Sequence, residues 1–203
     1  MNDVEFRIFK KSESIQLTVN SVVYSILLSS LCIAFLADQF FNDSLIENVG
    51  VTCGISACIL VIVFKIAQPF RRQALNGTLD EVLKFKKAEI SIGRRTYSLN
   101  EIIKIEFSVG DYYNRWEYQS KGNLNPARTN GTSNTLKVIL KSEEKITVNF
   151  QLAFENEFLR MRELLIKYHF ENKIHFLKLI EYLKIDKYED IQEFKKTYLQ
   201  NYN

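Results

Sequence analysis

The stretch VVYSILLSSLCIAFLA at 22–37 is followed, after a short polar gap, by NVGVTCGISACILVIVF at 48–64. Neither run contains a charged residue, and both consist mainly of large aliphatic side chains, serine and cysteine. A helix of roughly 20 apolar residues crosses the roughly 30 Å hydrocarbon layer of a bilayer. The two runs therefore predict a transmembrane helical hairpin within 14–70, with spans at about 17–37 and 48–68.

Two other interpretations of these runs stay open. They could form a buried helix pair in a soluble protein, or the first run could be a cleaved signal peptide. The first apolar region is longer than that of a signal peptide, and no A-x-A cleavage site follows it. Because both adjacent runs fit the bilayer thickness, the membrane interpretation is preferred.

The charges that flank the runs predict the orientation of the hairpin. The connector Asp38–Glu47 contains three acidic residues and no basic one. Basic residues, which mark the cytoplasmic side of a membrane segment, lie at the other end of both runs. They are Arg7, Lys10 and Lys11 before the first run and Lys65, Arg71 and Arg72 after the second. We expect an inner-membrane, multi-pass protein with both termini in the cytoplasm.

Small residues in both runs predict a close helix contact. Gly50 and Gly54 form a G-x-x-x-G motif, and Ser30 and Ala34 repeat the spacing. Small side chains let helix backbones approach each other in lipid. The contact could join the two helices of one chain or, in a homo-oligomer, helices of different chains.

The chain has 203 residues and a net charge of +3. About 130 residues remain outside the hairpin, which is the size of one domain. We expect a cytosolic segment at 1–13, a β-domain at 73–170 and a helical extension at 171–203. The net charge is too small to indicate nucleic-acid binding by itself.

Residues that carry chemistry are few. The cysteines Cys32, Cys53 and Cys58 all lie in the apolar runs, which excludes a disulfide scaffold or a cysteine zinc site in the β-domain. His169 and His175 are the only histidines. No nucleophile elbow, Walker sequence or G-x-G-x-x-G motif is present. We therefore expect no metal, no cofactor and no enzymatic activity.

Alternation of apolar and polar residues predicts antiparallel strands with one wet face. The clearest cases are Ile103–Val109, Leu136–Leu140 and Ile146–Phe150. Val4, Phe6 and Ile8 also alternate with charged residues, which predicts an edge strand of the β-domain or, alternatively, an interfacial segment.

Helical spacing returns at the carboxyl end, where three apolar stripes are predicted to face the core. The stripes are Phe154, Phe158, Met161, Leu165 and Tyr168, then Ile174, Leu177 and Ile180, then Tyr188, Ile191, Phe194 and Tyr198. Asp186 and Glu189 resemble a capping box before the last stripe.

The stretch from Glu89 to His169 resembles the bacterial membrane-anchored pleckstrin-homology (PH) type of domain. The resemblance rests on the strand Glu89–Ile92, the turn Tyr97–Ile102 into Lys104–Phe107, the hairpin Leu136–Phe150 and the helix Phe154–His169. It implies a membrane-anchored α+β fold in which an antiparallel PH-like β-sheet or barrel follows the two helices and is closed by C-terminal helices.

The two apolar runs and the β-rich remainder also resemble the two-helix effectors of cyclic-oligonucleotide antiphage (antiviral) defence. In that group a soluble β-domain binds a cyclic nucleotide, and the membrane helices oligomerise and disrupt the bilayer. The long helical end of this chain departs from that pattern, because those domains consist mostly of strand. No residue of the sequence identifies a nucleotide pocket.

Two candidate contact regions follow. Residues 65–95 contain eight basic and three acidic residues, a net charge of +5 that suits anionic lipid. The basic-patch candidates are Arg71, Arg72, Lys84, Lys86, Lys87, Arg94 and Arg95. The second region is the polar segment 116–134, whose length is typical of functional loops; its candidates are Trp116, Tyr118 and Arg128. We expect an anchored recognition module for a protein partner or lipid head groups, and the gated cyclic-nucleotide effector is the alternative.

Overall fold

The computed structural model describes residues 3–13, 17–37, 39 and 44–199. Half of the acidic connector, residues 38 and 40–43, and the last four residues of the helical extension therefore lie outside the described residues. The strands are β1 (Val4–Lys11), β2 (Gly77–Phe85), β3 (Glu89–Ile92), β4 (Arg95–Ser98), β5 (Ile102–Ser108), β6 (Tyr113–Trp116), β7 (Arg128–Asn130), β8 (Asn134–Leu140) and β9 (Lys145–Gln151). The α-helices are α1 (Val19–Leu36), α2 (Ser44–Ala67), α3 (Arg162–Phe170), α4 (Phe176–Tyr182) and α5 (Tyr188–Phe194).

The chain divides into two compact units that interleave along the sequence. The sheet unit comprises Met1–Ser12, Leu75–Arg115 and Asn130–Asn203. The helix unit comprises Glu13–Ala74 and Trp116–Thr129. The two apolar helices are therefore an insertion into the β-rich part of the chain, and not a segment that precedes it.

The sheet unit is built on a seven-stranded antiparallel sheet with the order β4-β3-β2-β1-β9-β8-β5. β1 lies at its centre, between β2 and β9, where Phe6 pairs with Leu83 and Ile8 with Phe150. The sequence suggested an edge strand here. Both neighbours of β1 come from residues far along the chain, and local alternation cannot reveal such pairings.

The sheet curls but does not close into a barrel. If the seven-stranded sheet were flat, six strand spacings of about 4.8 Å would place the edge strands β4 and β5 about 29 Å apart. The chain joins these edges through the single turn Leu99–Glu101, which spans at most about 14 Å from Ser98 to Ile102. The edges must therefore approach each other, yet no ladder joins them. A capping box of Ser98 and Glu101 fixes this corner.

Aromatic rings fill the inner side of the sheet. The burial of β8 alternates strictly along the strand, as its sequence predicts. Phe6 packs on Phe150 with ring centroids 5.3 Å apart, and Phe107 packs on Phe158 at 5.0 Å. In β5 the expected inward side chain Ile103 is half exposed, because a register irregularity between Ile102 and Lys104 turns Ile102 inward instead.

The carboxyl end covers this core with short helices. Phe158, Met161 and Leu165, on the 3₁₀ turn before α3 and on α3 itself, are buried as predicted. Three residues of the expected stripes face solvent, namely Phe154, Leu177 and Tyr188. The expected capping box before the last stripe does not form, because the N-cap of α5 is Lys187 and its side chain makes no capping hydrogen bond.

The helix unit contains both apolar runs as helices. Spans of 18 residues at Val19–Leu36 and 23 residues at Asn48–Phe70 have mean hydropathies of 2.0 and 2.3. By length and composition, both are able to cross a membrane. The second helix begins at Ser44, earlier than the expected Asn48, and a 3₁₀ turn at Gln68–Phe70 with Pro69 ends it.

Candidate functional site

Small residues form the seam between α1 and α2. A Cβ atom added to Gly50 would lie 2.8 Å from the backbone nitrogen of Ala34, and one added to Gly54 would lie 3.3 Å from the Ser30 hydroxyl. The two small-residue motifs predicted from the sequence thus face each other within one chain. Ala57 is also buried on α2. Because this seam is occupied, another copy of the chain would have to contact a different helix face.

The polar segment 116–129, which we call the collar, is tied to the first turns of α1. The amide of Asn20 donates to Oδ1 of Asn123 over 3.0 Å, and its oxygen accepts from the backbone N–H of Leu124 over 2.7 Å. The hydroxyl of Tyr24 donates to the carbonyl of Gly122 over 2.5 Å. Leu124 itself is fully buried. The collar is therefore an ordered part of the helix unit.

The same segment is tied to the end of α2. The Gln68 amide donates to the carbonyls of Asn123 and Asn125 over 2.8 and 2.7 Å. The Lys65 ammonium donates to the same Asn123 carbonyl over 2.7 Å. The Arg128 guanidinium donates to the carbonyl of Pro69 over 2.9 Å. One loop thus holds the start of α1 and the end of α2 at the same end of the helix pair.

Three predicted contact residues lie on the collar, and only two of them are strongly exposed. Trp116 and Tyr118 are 55% and 74% exposed and make an edge-to-face contact with centroids 6.3 Å apart. Arg128 is half-buried, because its guanidinium serves the contact with α2. The aromatic pair remains the outward-facing part of the loop.

The candidates next to the collar, Arg71 and Arg72, have different surroundings. The Arg71 guanidinium stacks 5.0 Å from the Phe64 ring centroid, and its Nη1 atom is buried without a hydrogen-bond partner among the described residues. Arg72 is exposed and forms a β-bridge with Arg128. Both belong to the helix unit, whereas the other five basic-patch candidates belong to the sheet unit.

Two of those five cations are neutralised by carboxylates. The Lys84 ammonium lies 2.6 Å from Glu5 and 3.5 Å from Asp3, both before or within β1. The hydrogen bond that the Lys84 ammonium donates to the Glu5 carboxylate raises the pKa of Lys84 above its ordinary value. Lys86 pairs with Glu89 across the β2–β3 turn. These two lysines therefore contribute to the sheet and add little net charge to its surface.

Lys87, Arg94 and Arg95 remain as uncompensated cations of the sheet unit. All three are exposed and make no ion pair with any residue that the structure describes. Arg94 lies in the turn that leads into the edge strand β4, and Arg95 is the first residue of that strand. This part of the predicted basic patch is available to an acidic ligand.

A cleft of about 480 Å³ opens between the end of β5 and α4. Tyr182 forms one wall, and its hydroxyl accepts from the backbone N–H of Phe107 over 2.9 Å. The charged lining consists of Asp111, Glu155, Glu181, Arg115, Lys178 and Lys184. The three cations are matched by three carboxylates, and Lys178 is already paired with Glu181 at 2.7 Å. The cleft therefore has no net charge that would attract an anion.

Sequence reasoning missed the polar residues that organise both units. Asn134 is fully buried, and its amide bonds the backbone at Gly110, Asp111, Gly131 and Phe150. In the helix unit, Asn20 and Gln68 anchor the collar. Two features of the sequence could have indicated these contacts. Asn20 and Gln68 lie at the ends of the apolar runs, and Leu124 is a large aliphatic residue within a mostly polar loop.

Among the residues that the structure describes, no group of three or more histidine, cysteine or acidic side chains is arranged to hold a metal ion. The Nδ1 atom of His169 lies 2.8 Å from the carbonyl of Ile174, where it joins the end of α3 to the following loop. Comparison of the chain with protein-family models, curated proteins and solved structures found no match in any of the three. A functional assignment therefore depends on the residues and contacts described above.

Proposed function

We propose that this chain is an integral inner-membrane protein that presents a PH-like sheet unit in the cytoplasm as a non-enzymatic recognition module. The observation that carries the proposal is a pair of apolar helices, inserted in the chain between the paired strands β1 and β2. The large side chains of these helices face outward. Exposed fractions of 59–68% occur at Leu28, Leu31, Phe35, Ile62 and Ile66.

The exposure of these side chains argues against a buried helix pair. Only 11% of either apolar span is buried in the chain, whereas a core helix of a soluble protein is mostly buried. Soluble monomers rarely expose contiguous apolar patches of more than a few hundred Å². A bilayer supplies the apolar surroundings that the chain itself does not.

The position of β1 argues against a signal peptide. Cleavage after α1 would remove residues 4–11, the central strand of the seven-stranded sheet. The remaining strands would be left as two separate groups, β2–β4 and β5, β8 and β9. An uncleaved first helix is therefore the arrangement that is compatible with this sheet.

The pairing of β1 with β2 also bears on topology. These strands flank the helix pair in the chain and pair antiparallel in one sheet. A hairpin that spans a bilayer must therefore have both ends on the side of the sheet. Basic residues at those ends and acidic residues in the connector support a cytoplasmic sheet unit.

The strand order supports the PH-like part of the proposal. β1–β4 form one meander, β5, β8 and β9 form a second antiparallel group, and a helix then packs against the core. The inserted hairpin departs from the expected order, in which the helices precede the domain. For recognition, Lys87, Arg94 and Arg95 suit an acidic protein segment or lipid head group.

The gated effector is the second candidate, and the charge balance of the cleft disfavours it. A cyclic oligonucleotide carries a phosphate on each linkage, and the cleft offers no excess of cations. Thermal unfolding of the full chain in micelles, with a panel of cyclic di- and trinucleotides, distinguishes the gated effector from the recognition module. Saturable stabilisation by one of them would favour the effector.

The native cysteines test the membrane anchor. Cys32, Cys53 and Cys58 are exposed on the helices of the chain. In vesicles containing the full chain, a membrane-impermeant maleimide should leave them unlabelled until a detergent dissolves the bilayer. Rapid labelling of all three in intact, sealed vesicles would refute the anchor.

A further inference from the structure

The outward side of the collar differs from its inward side. Its inner residues bond the helices, whereas Trp116 and Tyr118 face outward, and Phe70, at the end of α2, is 81% exposed. The three aromatic residues lie at the same end of the helix pair, because the collar joins the end of α2 to the start of α1.

This aromatic group continues the apolar surface of the helices. Ile62 and Ile66, on the last turns of α2, are 59% and 68% exposed and precede Phe70. Tryptophan and tyrosine concentrate where hydrocarbon meets head groups, because their rings are apolar and their N–H or O–H groups need polar partners. The collar has this composition at the end of a span.

The charge at this end complements an anionic leaflet. Segments 65–74 and 116–129 contain five basic residues and one acidic residue. Lys121 is exposed on the collar and makes no ion pair with a described residue. Basic residues near an anionic membrane surface gain about 1 kcal/mol each.

We propose that the collar is a membrane-interface element: Phe70, Trp116 and Tyr118 insert into the head-group layer of an anionic leaflet, and Lys121 lies among its phosphates. The occupant of this surface is the bilayer, and not a second protein. The inference rests on the proposed membrane anchor. It adds the depth at which the collar lies in the bilayer and the preference of the collar for anionic lipid.

The sole tryptophan of the chain makes the inference directly measurable, since it is Trp116. The full chain is placed in vesicles of phosphatidylcholine and phosphatidylglycerol in equal parts, with bromine on the lipid chains either near the head group or near the bilayer centre. We expect strong quenching of Trp116 emission by the shallow bromine, weak quenching by the deep one, and protection from aqueous acrylamide.

The cysteines distinguish failure of this inference from failure of the anchor. If they are protected from maleimide and neither brominated lipid quenches Trp116, the interface role is overturned and the anchor stands. Stronger quenching by the deep bromine also overturns the head-group placement. If the cysteines react in intact vesicles, both proposals fall.

Lipid preference is tested with Lys121→Glu. The ratio of Trp116 quenching by brominated phosphatidylglycerol to quenching by brominated phosphatidylcholine reports which lipid surrounds the collar. The variant removes one basic residue and adds an acidic one. It should therefore lower the local preference for the anionic lipid by at least about fivefold, which is equivalent to about 1 kcal/mol for the lost cation alone. Lys141→Glu, an exposed lysine of the sheet unit, is the matched control and should leave the ratio unchanged. An unchanged ratio in Lys121→Glu would overturn the role of charge.

Discussion

The two units follow opposite burial patterns. In the sheet unit, large side chains such as Phe85 and Phe150 are fully buried, and charged residues cover the outside. In the helix unit, the buried contact is made by Gly50, Ser30 and Ala57, and leucine, isoleucine and phenylalanine face outward. Water surrounds a structure of the first kind, whereas the second kind suits lipid, where packing of small residues replaces the hydrophobic effect between helices.

The same substitution in each unit should therefore have very different effects. Phe150→Ala removes a fully buried ring and should lower the free energy of unfolding by about 3–5 kcal/mol. Phe35→Ala changes a ring that is 62% exposed and should change the free energy by less than about 0.5 kcal/mol. Denaturant unfolding of the full chain in lipid–detergent micelles measures both. Equal losses would mean that the two units share one kind of core.

A lysine introduced at an exposed leucine tests whether the surroundings of the two units differ. Leu28, near the middle of α1, and Leu177, on α4, are 65% and 70% exposed. Leu28→Lys should cost about 2.5–3.5 kcal/mol of insertion free energy, because the ammonium would lie in hydrocarbon. Leu177→Lys should be nearly neutral, since it faces water one turn before Glu181.

The measurement for this pair is the fraction of the chain that resists alkaline extraction from membranes. Leu28→Lys should shift protein to the soluble fraction, and Leu177→Lys should remain in the membrane fraction like the unaltered chain. Full membrane retention of Leu28→Lys would argue that α1 does not cross the hydrocarbon.

A substitution in the seam between α1 and α2 should have a smaller effect on stability, and the adjacent residue provides a control. Gly50→Leu places a side chain against the Ala34 backbone and should destabilise the helix pair by about 1–3 kcal/mol. Val51→Leu enlarges a side chain that is 47% exposed and should be tolerated. Helix separation, followed by the distance between spin labels on the two helices, should increase only in Gly50→Leu. If both variants keep the native distance, the seam is looser than the contacts indicate.

Alkaline pH should destabilise the sheet unit through its buried tyrosines. Burial raises the pKa of Tyr168, whose hydroxyl donates to the Lys86 carbonyl over 2.7 Å, and burial likewise raises the pKa of Tyr182. Full stability is expected below pH of about 10, where tyrosines of the unfolded chain are still protonated. As the pH rises further, each tyrosine should remove up to about 1.4 kcal/mol per pH unit.

Tyr168→Phe separates this effect from general alkaline damage. The variant should lose about 0.5–1.5 kcal/mol at neutral pH, because the hydrogen bond to Lys86 is absent. Above pH of about 10, the stability of the variant should then decline less steeply than that of the unaltered chain. The difference in slope should be the contribution of one tyrosine, up to about 1.4 kcal/mol per pH unit. Unfolding curves at a series of pH values measure both quantities, and an identical decline in both proteins would contradict the assignment.

Local patterns were sufficient for much of the fold. The runs that formed α1 and α2 were recognisable from length and hydropathy, and strict alternation predicted β8 and β9 with their turn. Alternation failed where a backbone irregularity intervened, as at Ile102 and Ile103 in β5. It also gave no sign that β1 is central, since strand order depends on pairing between distant segments.

The candidate site was recognised only in part. Trp116 and Tyr118 were noted as aromatic residues beside a long polar loop, and both are exposed. The loop was expected to be a free contact region, yet its middle is tied to both helices by Asn20 and Gln68. Lys84 and Lys86 were counted as surface charge, but carboxylates on neighbouring strands pair with them.

By itself, the sequence determined the two apolar helices, the small-residue motifs, the charge asymmetry and most strand positions, because each depends on spacing within a few turns or one strand. Only the tertiary structure decided that the helices are inserted between two central strands, that the small residues meet within one chain and that the collar holds both helix ends. These features join residues far apart in the chain, such as Ile8 with Phe150 and Asn20 with Leu124. Such pairings are selected by the packing of the whole molecule and leave no periodic trace in the sequence.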